Sequence, residues 1–209
     1  MSPSAPDKPT LRQRFREQAR EEILEAAVRV FLRDGVAEAR IDAVAAEAGV
    51  SVGTLYNLFG DRAGLVAAVM ERGREDFLDL VRTFFATSEG APFEQRLRGM
   101  VHLLVGHMRG HWPMLRMLSE SQAPGRCPGP PGPSPTVVRE MHSNVSGLIR
   151  QGIEAGVLAP VDVHVATCAL MGAMRNTIDL DLLLGLDAPS EERADAIVNL
   201  FLEGAARRG

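Results

Sequence analysis

Apolar residues return every three or four positions over most of the stretch from Ile23 to Phe201, and no strand-like pattern of period two stands out. A side-chain period near 3.6 is that of the α-helix, and a period of two that of the strand. The chain therefore reads as all-α, and its glycines and prolines mark where one helix ends and the next begins. A first helix runs from Leu11 or Glu17 to Arg33, with Ile23, Ala27, Val30 and Phe31 on one stripe and Gly35 just past its end. A short second helix spans Ile41 to Ala48, apolar at Ile41, Val44, Ala45 and Ala48. Gly49 stops it, Val50 fills the corner, and Ser51 caps a third helix, Val52 to Phe59. After Gly60, Asp61 caps a long fourth helix to Thr87, with Leu65, Val69, Phe77, Leu80 and Phe84 inward. Pro92 suits the first turn of a fifth, whose stripe is Phe93, Leu97, Met100, Val101, Leu104 and Met108. Gly110 and Pro113 predict an interruption, followed by a short helix to Ser121.

Residues 122–135 (QAPGRCPGPPGPSP) fit neither helix nor strand and are expected to be a mobile loop. Helix resumes from Pro135 to Glu154, with Val138, Met141, Val145, Leu148 and Ile149 on one face and Gly156 at its end. Two more follow, Asp162 to Leu184 and Ser190 to Ala206. The expected organisation is a flexible tail at 1–10, a helix-turn-helix unit at 11–60 and a larger helical domain at 61–209.

Charge limits how such a chain can meet its partners. The formal net charge is −4, which excludes a uniformly basic nucleic-acid binder. Arg12, Arg14, Arg16 and Arg20 nevertheless cluster near the start. They form either a solvated helix face or a basic arm that enters a minor groove. The two cysteines, Cys127 and Cys168, are too few for a disulfide framework, and a reducing cytoplasm is expected. No apolar run reaches the ~18 residues of a membrane span, and Met1–Pro9 has no apolar signal segment.

The segment Ile41 to Phe59 carries the most specific signal. Two short helices, small at Ala45 and turned at Gly49, can cross steeply with Val50 and Leu55 between them. Val52, Gly53, Thr54 and Asn57 are then left on the outer face of the second helix, where a major groove would meet them. Rival chemistry is thin. No Ser/His/Asp block, phosphate-cradling glycine loop or carboxylate pair with metal spacing is present, so no enzyme, cofactor or metal site is read. His107 and His111 stand four apart, but Gly110 lies between them and no further ligand accompanies them. Cys127 is either an exposed reactive thiol or an inert loop residue. Ala166, Ala169, Gly172, Ala173 and Thr177 on the penultimate helix permit close approach of another helix. With Ala194, Ile197, Leu200, Phe201 and Gly204 on the last, they form either a four-helix dimer interface or part of the subunit's own core.

The stretch AVAAEAGVSVGTLYNLFGDRAGLVAAV (Ala43 to Val69) resembles the signature of the tetracycline-repressor (TetR) family. The matching residues are Ala48-Gly49-Val50-Ser51, Gly53-Thr54-Leu55-Tyr56, Phe59 and Arg62, with Phe31 and Gly35 upstream. The resemblance implies about nine helices: an N-terminal helix-turn-helix DNA-binding domain followed by a helical bundle for ligand binding and dimerisation. It implies a repressor that acts as a homodimer through the last two helices on a near-palindromic double-stranded operator. A small, largely apolar effector would release it. Carried over to this chain, Tyr56 and Arg62 contact phosphates, Ser51 caps the recognition helix, and Thr54 and Asn57 meet backbone or base edges. Ala39 and Arg40 stand where the family usually has Thr or Ser, so a cap and its phosphate contact are lost and the Arg40 charge could replace the contact; Val52 replaces a polar or basic reader. Met108, Trp112, Met117 and Met141 are the candidate effector contacts in the bundle. Arg175 either anchors a polar or anionic effector group or forms an interface ion pair.

Overall fold

Capping chemistry sets the helix boundaries. The Gln13 amide donates to the Thr10 hydroxyl at 3.3 Å, and the Thr10 amide donates to Gln13 Oε1 at 2.7 Å. This reciprocal box satisfies amides that the first turn leaves without partners. The computed structural model describes residues 10–122 and 134–205, with 111–122 and 205 as helical backbone. Among them are eight helices: α1 Leu11–Asp34, α2 Ile41–Glu47, α3 Val52–Phe59, α4 Arg62–Thr87, α5 Phe93–Gln122, α6 Pro135–Glu154, α7 Val163–Leu184 and α8 Ser190–Ala205. The caps expected at Ser51 and Asp61 are present, and Ser134 and Asp162 supply two more. The Ser51, Ser134 and Asp162 side chains accept from the amides of Thr54, Val137 and Val165, and Asp61 Oδ1 accepts from the Gly64 amide at 2.7 Å.

The all-α class holds, but the helix count differs from the expected nine. α5 runs unbroken through Gly110 and Pro113. An interior proline removes one ladder bond and kinks a helix more readily than it ends one. Two stripe positions also shift by a residue or two. Leu80 and Val138 are exposed, while Leu78, Val81 and Val137 are buried. The loop expected at 122–135 lies outside the described residues except at its ends, as does the tail apart from Thr10.

The chain divides into two compact units, Met1–Gly73 with Met114–Pro130 and Arg74–Pro113 with Pro131–Gly209. One division falls inside α4, one after Pro113 inside α5, and one after Pro130, outside the described residues. The core of the first unit is built from Ile23, Phe31, Val44, Leu55 and Leu65, each at most 1% exposed. In the second, α7 packs against both α6 and α8, burying Leu148, Ile149, Leu170, Ile178 and Val198. Asp181, 3% exposed, clasps α8 to α7 by accepting from Arg193 Nε and Nη2 at 2.7 and 2.9 Å. No described helix is long and apolar enough to cross a membrane.

Candidate nucleic-acid interface

The turn between α2 and α3 is fixed by backbone chemistry. The Val50 amide donates to the Ala45 carbonyl at 2.9 Å, and the Gly49 amide to the Ala46 carbonyl at 3.2 Å. This paired closure needs a left-handed residue after the helix, and Gly49 supplies it with φ 67°. Ser51 then begins α3, its hydroxyl 3.1 Å from the Thr54 amide. Leu55 and Phe59 are buried on one side of α3. Ser51, Val52, Gly53, Thr54, Tyr56 and Asn57 are exposed on the other, as the sequence pattern predicts. Thr54 Oγ1 lies 2.8 Å from Ser51 Oγ. Its hydroxyl is therefore turned back onto the cap, and its methyl is left for an apolar neighbour. Tyr56, 46% exposed, keeps its phenol at the rim of this face.

Arg40 and Arg62 are placed differently from each other. Arg40 precedes α2 without capping it and pairs with Asp42, its Nε and Nη2 at 3.2 and 2.8 Å from the carboxylate oxygens. The Asp42 carboxyl is held below its ordinary range, first by that hydrogen bond. Arg62 is half-buried, and its Nη2 donates to the carbonyls of Val36 and, at 3.0 Å, Ala37. It ties the start of α4 to the turn between α1 and α2. This structural anchorage is not expected from sequence, because it depends on two carbonyls far away along the chain.

The N-terminal arginines are helical: Arg12, Arg14 and Arg16 project from α1 and are exposed. Arg16 and Arg20 line a shallow groove with Gln13, Glu17 and Leu58 of α3, and the Arg20 guanidinium sits 4.9 Å from the centre of the Phe59 ring. The positive end of α1 thus lies against the C-terminal turn of α3, which residue spacing alone does not reveal. Farther along α1, Arg29 Nε reaches Glu47 at 3.0 Å and Arg33 Nη1 reaches it at 3.4 Å, tying α1 to the end of α2.

Of the candidate effector contacts, Met108, Met141 and Arg175 are among the described side chains. Met141 is buried in the second unit's core and Met108 is half-buried. Arg175 lies 3.6 Å from Asp179 on its own helix. The side chains of Trp112 and Met117, like those of His111 and Cys127, lie outside the described residues. An apolar groove runs between α7 and α8, lined by Val165, Ala169, Ala173, Ile197, Leu200 and Phe201 among others. Ala194 and Ile197 are buried within the subunit. Val165 and Leu200 stand 61% and 72% exposed.

Residues 23–69 match the family model described as bacterial regulatory proteins, tetR family. The HTH-type transcriptional repressor SCO4008 of Streptomyces coelicolor is 29% identical over 161 residues, 77% of this chain and 78% of that one. Among solved structures, the TetR family transcriptional regulator PfmR from Thermus thermophilus superposes with a TM-score of 0.64 at 23% identity, covering 88% of this chain and 99% of that one. FadR from Bacillus subtilis, solved in complex with stearoyl-CoA, gives 0.65 at 16% identity, with 88% and 98% covered. The capped, outward-facing α3, the matched helix-turn-helix sequence and the shared helical fold lead to one assignment: residues 23–69 form a helix-turn-helix that matches the tetR family of bacterial regulatory proteins, and the chain is similar to DNA-binding transcriptional regulators.

Proposed function

We propose that the protein is a ligand-responsive repressor, acting in the cytoplasm as a homodimer on a near-palindromic operator. In this reading residues 11–60 bind DNA, and residues 61–209 bind the effector and dimerise. The observation that carries it is the division of α3, with Leu55 and Phe59 held in the core while Val52, Gly53, Thr54, Tyr56 and Asn57 face outward. Asn57 can accept from and donate to an adenine edge, and the Thr54 methyl can meet a thymine methyl. The free amides opening α3 beside Ser51 favour a phosphate, with Tyr56 at the rim and Arg40 as a charge able to exchange Asp42 for the backbone. Arg62 acts on this face by holding its support in place, and Arg16 adds positive charge beside α3.

The exposed apolar side of α7 and α8 supports dimerisation through the last two helices. A second copy of the same face would cover Val165, Ala169 and Leu200, as an isologous interface does. A largely apolar effector is supported by the methionines of the second unit, Met108 and Met141, with Arg175 to meet a polar head group; Trp112 and Met117 complete the proposed set. The stearoyl-CoA held by the Bacillus subtilis protein joins a long apolar acyl chain to a polar, anionic head group. Selection of bound duplexes from a random pool tests the proposal. Two related half-sites about one helical turn apart, ~34–36 Å, are expected, and long-chain acyl-CoA thioesters are the first effectors to try for release. Enrichment of single, unpaired sites would overturn the dimeric reading.

A further inference from the structure

Where α6 meets the start of α7, His142, His164 and Cys168 bring their ligating atoms within 4.8 Å of one another. We propose that these three residues bind one metal ion of the zinc class, through two imidazole nitrogens and a thiolate, with a fourth position open to water.

The distances suit such an ion. Zinc–nitrogen bonds of ~2.0–2.1 Å and zinc–sulfur bonds of ~2.3 Å at tetrahedral angles place ligand atoms about 3.3–3.6 Å apart. His142 Nε2 is 2.9 Å from His164 Nδ1, and Cys168 Sγ is 3.9 Å from that same nitrogen. Opening the first pair and closing the second ask for a few tenths of an ångström, and drawing in the widest separation, within 4.8 Å, asks for a larger rotation of the exposed Cys168 side chain. His164 and Cys168 stand four apart on α7, on one helix face. Both are exposed, and His142 is half-buried, so the ion has an entry path.

Proton accounting behind the cluster supplies an independent argument. Thr167 Oγ1 donates its one proton to the Val163 carbonyl at 2.7 Å. Ser146 must therefore donate to Thr167 Oγ1, 3.0 Å away. With that proton committed, Ser146 Oγ can only accept from His142 Nδ1, at 3.5 Å. Ser146 and Thr167 are 2% and 0% exposed, so water does not reach them to alter the chain. His142 is thereby held with its proton on Nδ1 and its lone pair on Nε2, facing His164 and Cys168. An acceptor behind a histidine that fixes its tautomer in this way is a recurring feature of metal sites. On binding, His164 moves its proton to Nε2 and Cys168 releases its thiol proton to solvent, so one proton leaves per ion. Nitrogen and thiolate donors together favour zinc over the hard, oxygen-seeking cations. The inference stands apart from the proposed effector and dimer.

The test uses the reduced, untagged full-length protein, titrated with Zn²⁺ against a chromophoric chelator and separately with Co²⁺. One ion per chain is expected, together with a thiolate-to-cobalt charge-transfer band. Cys168→Ser should abolish the band and weaken zinc binding at least tenfold, and His164→Gln should weaken it comparably. Both side chains are exposed, so helicity by circular dichroism should not change. Zinc binding that persists undiminished in both variants, or no binding by the wild-type chain, would overturn the proposal.

Discussion

Arg62 joins the Val36 and Ala37 carbonyls to the first turn of α4, and this bears directly on how a family-matching arginine should behave on substitution. A side chain that grips a phosphate contributes to the salt dependence of binding, and its loss lowers the log–log slope by about one. A side chain that positions others does not. Arg62→Met should therefore lower the melting temperature and weaken duplex binding while leaving the salt slope unchanged. Arg16→Gln should leave the melting temperature alone and reduce the slope. Ser51 and Gly49 act more locally. Ser51→Ala removes the α3 cap and should cost ~1 kcal/mol in denaturant titration. Gly49→Ala places a Cβ at φ 67° and should cost roughly 1–2 kcal/mol. Ser51 and Gly49 are legible in the sequence because caps and turns are settled within a few residues. Arg62's partners are not, since nothing local specifies which distant carbonyls a guanidinium meets.

The same divide between local and distant determinants governs the elements. α3 and α6 begin and end where Ser51, Gly60, Pro135 and Gly156 predict. α5 does not stop at Pro113, because one missing ladder bond does not outweigh the packing and ladder bonds of a 30-residue helix. Periodicity places Leu80 and Val138 inward because a stripe traced over many turns accumulates phase error, which only the packed neighbours resolve. His142 is not visible as a ligand in the sequence for a similar reason: its companions His164 and Cys168 come from the next helix, after an intervening turn. The α7–α8 face is legible as a run of small residues, but its division is not. Ala194 and Ile197 turn into the subunit, and Leu200 turns out. Leu200→Glu should accordingly shift the protein to monomer in sedimentation velocity while retaining its helicity. Between α1 and α2, the Glu47 carboxyl lies below its ordinary 4.5, chiefly through the hydrogen bond from Arg29. A carboxyl depressed in the folded state stabilises above its unfolded pKa, and that contribution is lost as pH falls through the folded value. Glu47→Gln should therefore flatten part of the acid unfolding curve below about pH 5.

For the whole molecule, net charge and DNA binding must be reconciled. A chain of formal charge −4 repels a duplex at long range, so attraction has to come from the basic end of α1 beside the exposed face of α3. Binding should be salt-steep yet sequence-dependent, since phosphates supply affinity and base edges supply choice. The proposed dimer matters at this scale because a single α3 would cover too few base pairs to select one site in a genome, whereas two related copies would read a palindrome. The most direct measurement is the affinity of the full-length protein for its selected duplex, with and without the paired substitution Tyr56→Ala and Asn57→Ala. Both side chains are exposed, so the fold and the oligomeric state should survive. The expected result is a loss of tenfold or more, consistent with about 1–3 kcal/mol for a base-edge contact, at an unchanged melting temperature. Undiminished affinity in a folded variant would mean that the outer face of α3 does not meet DNA.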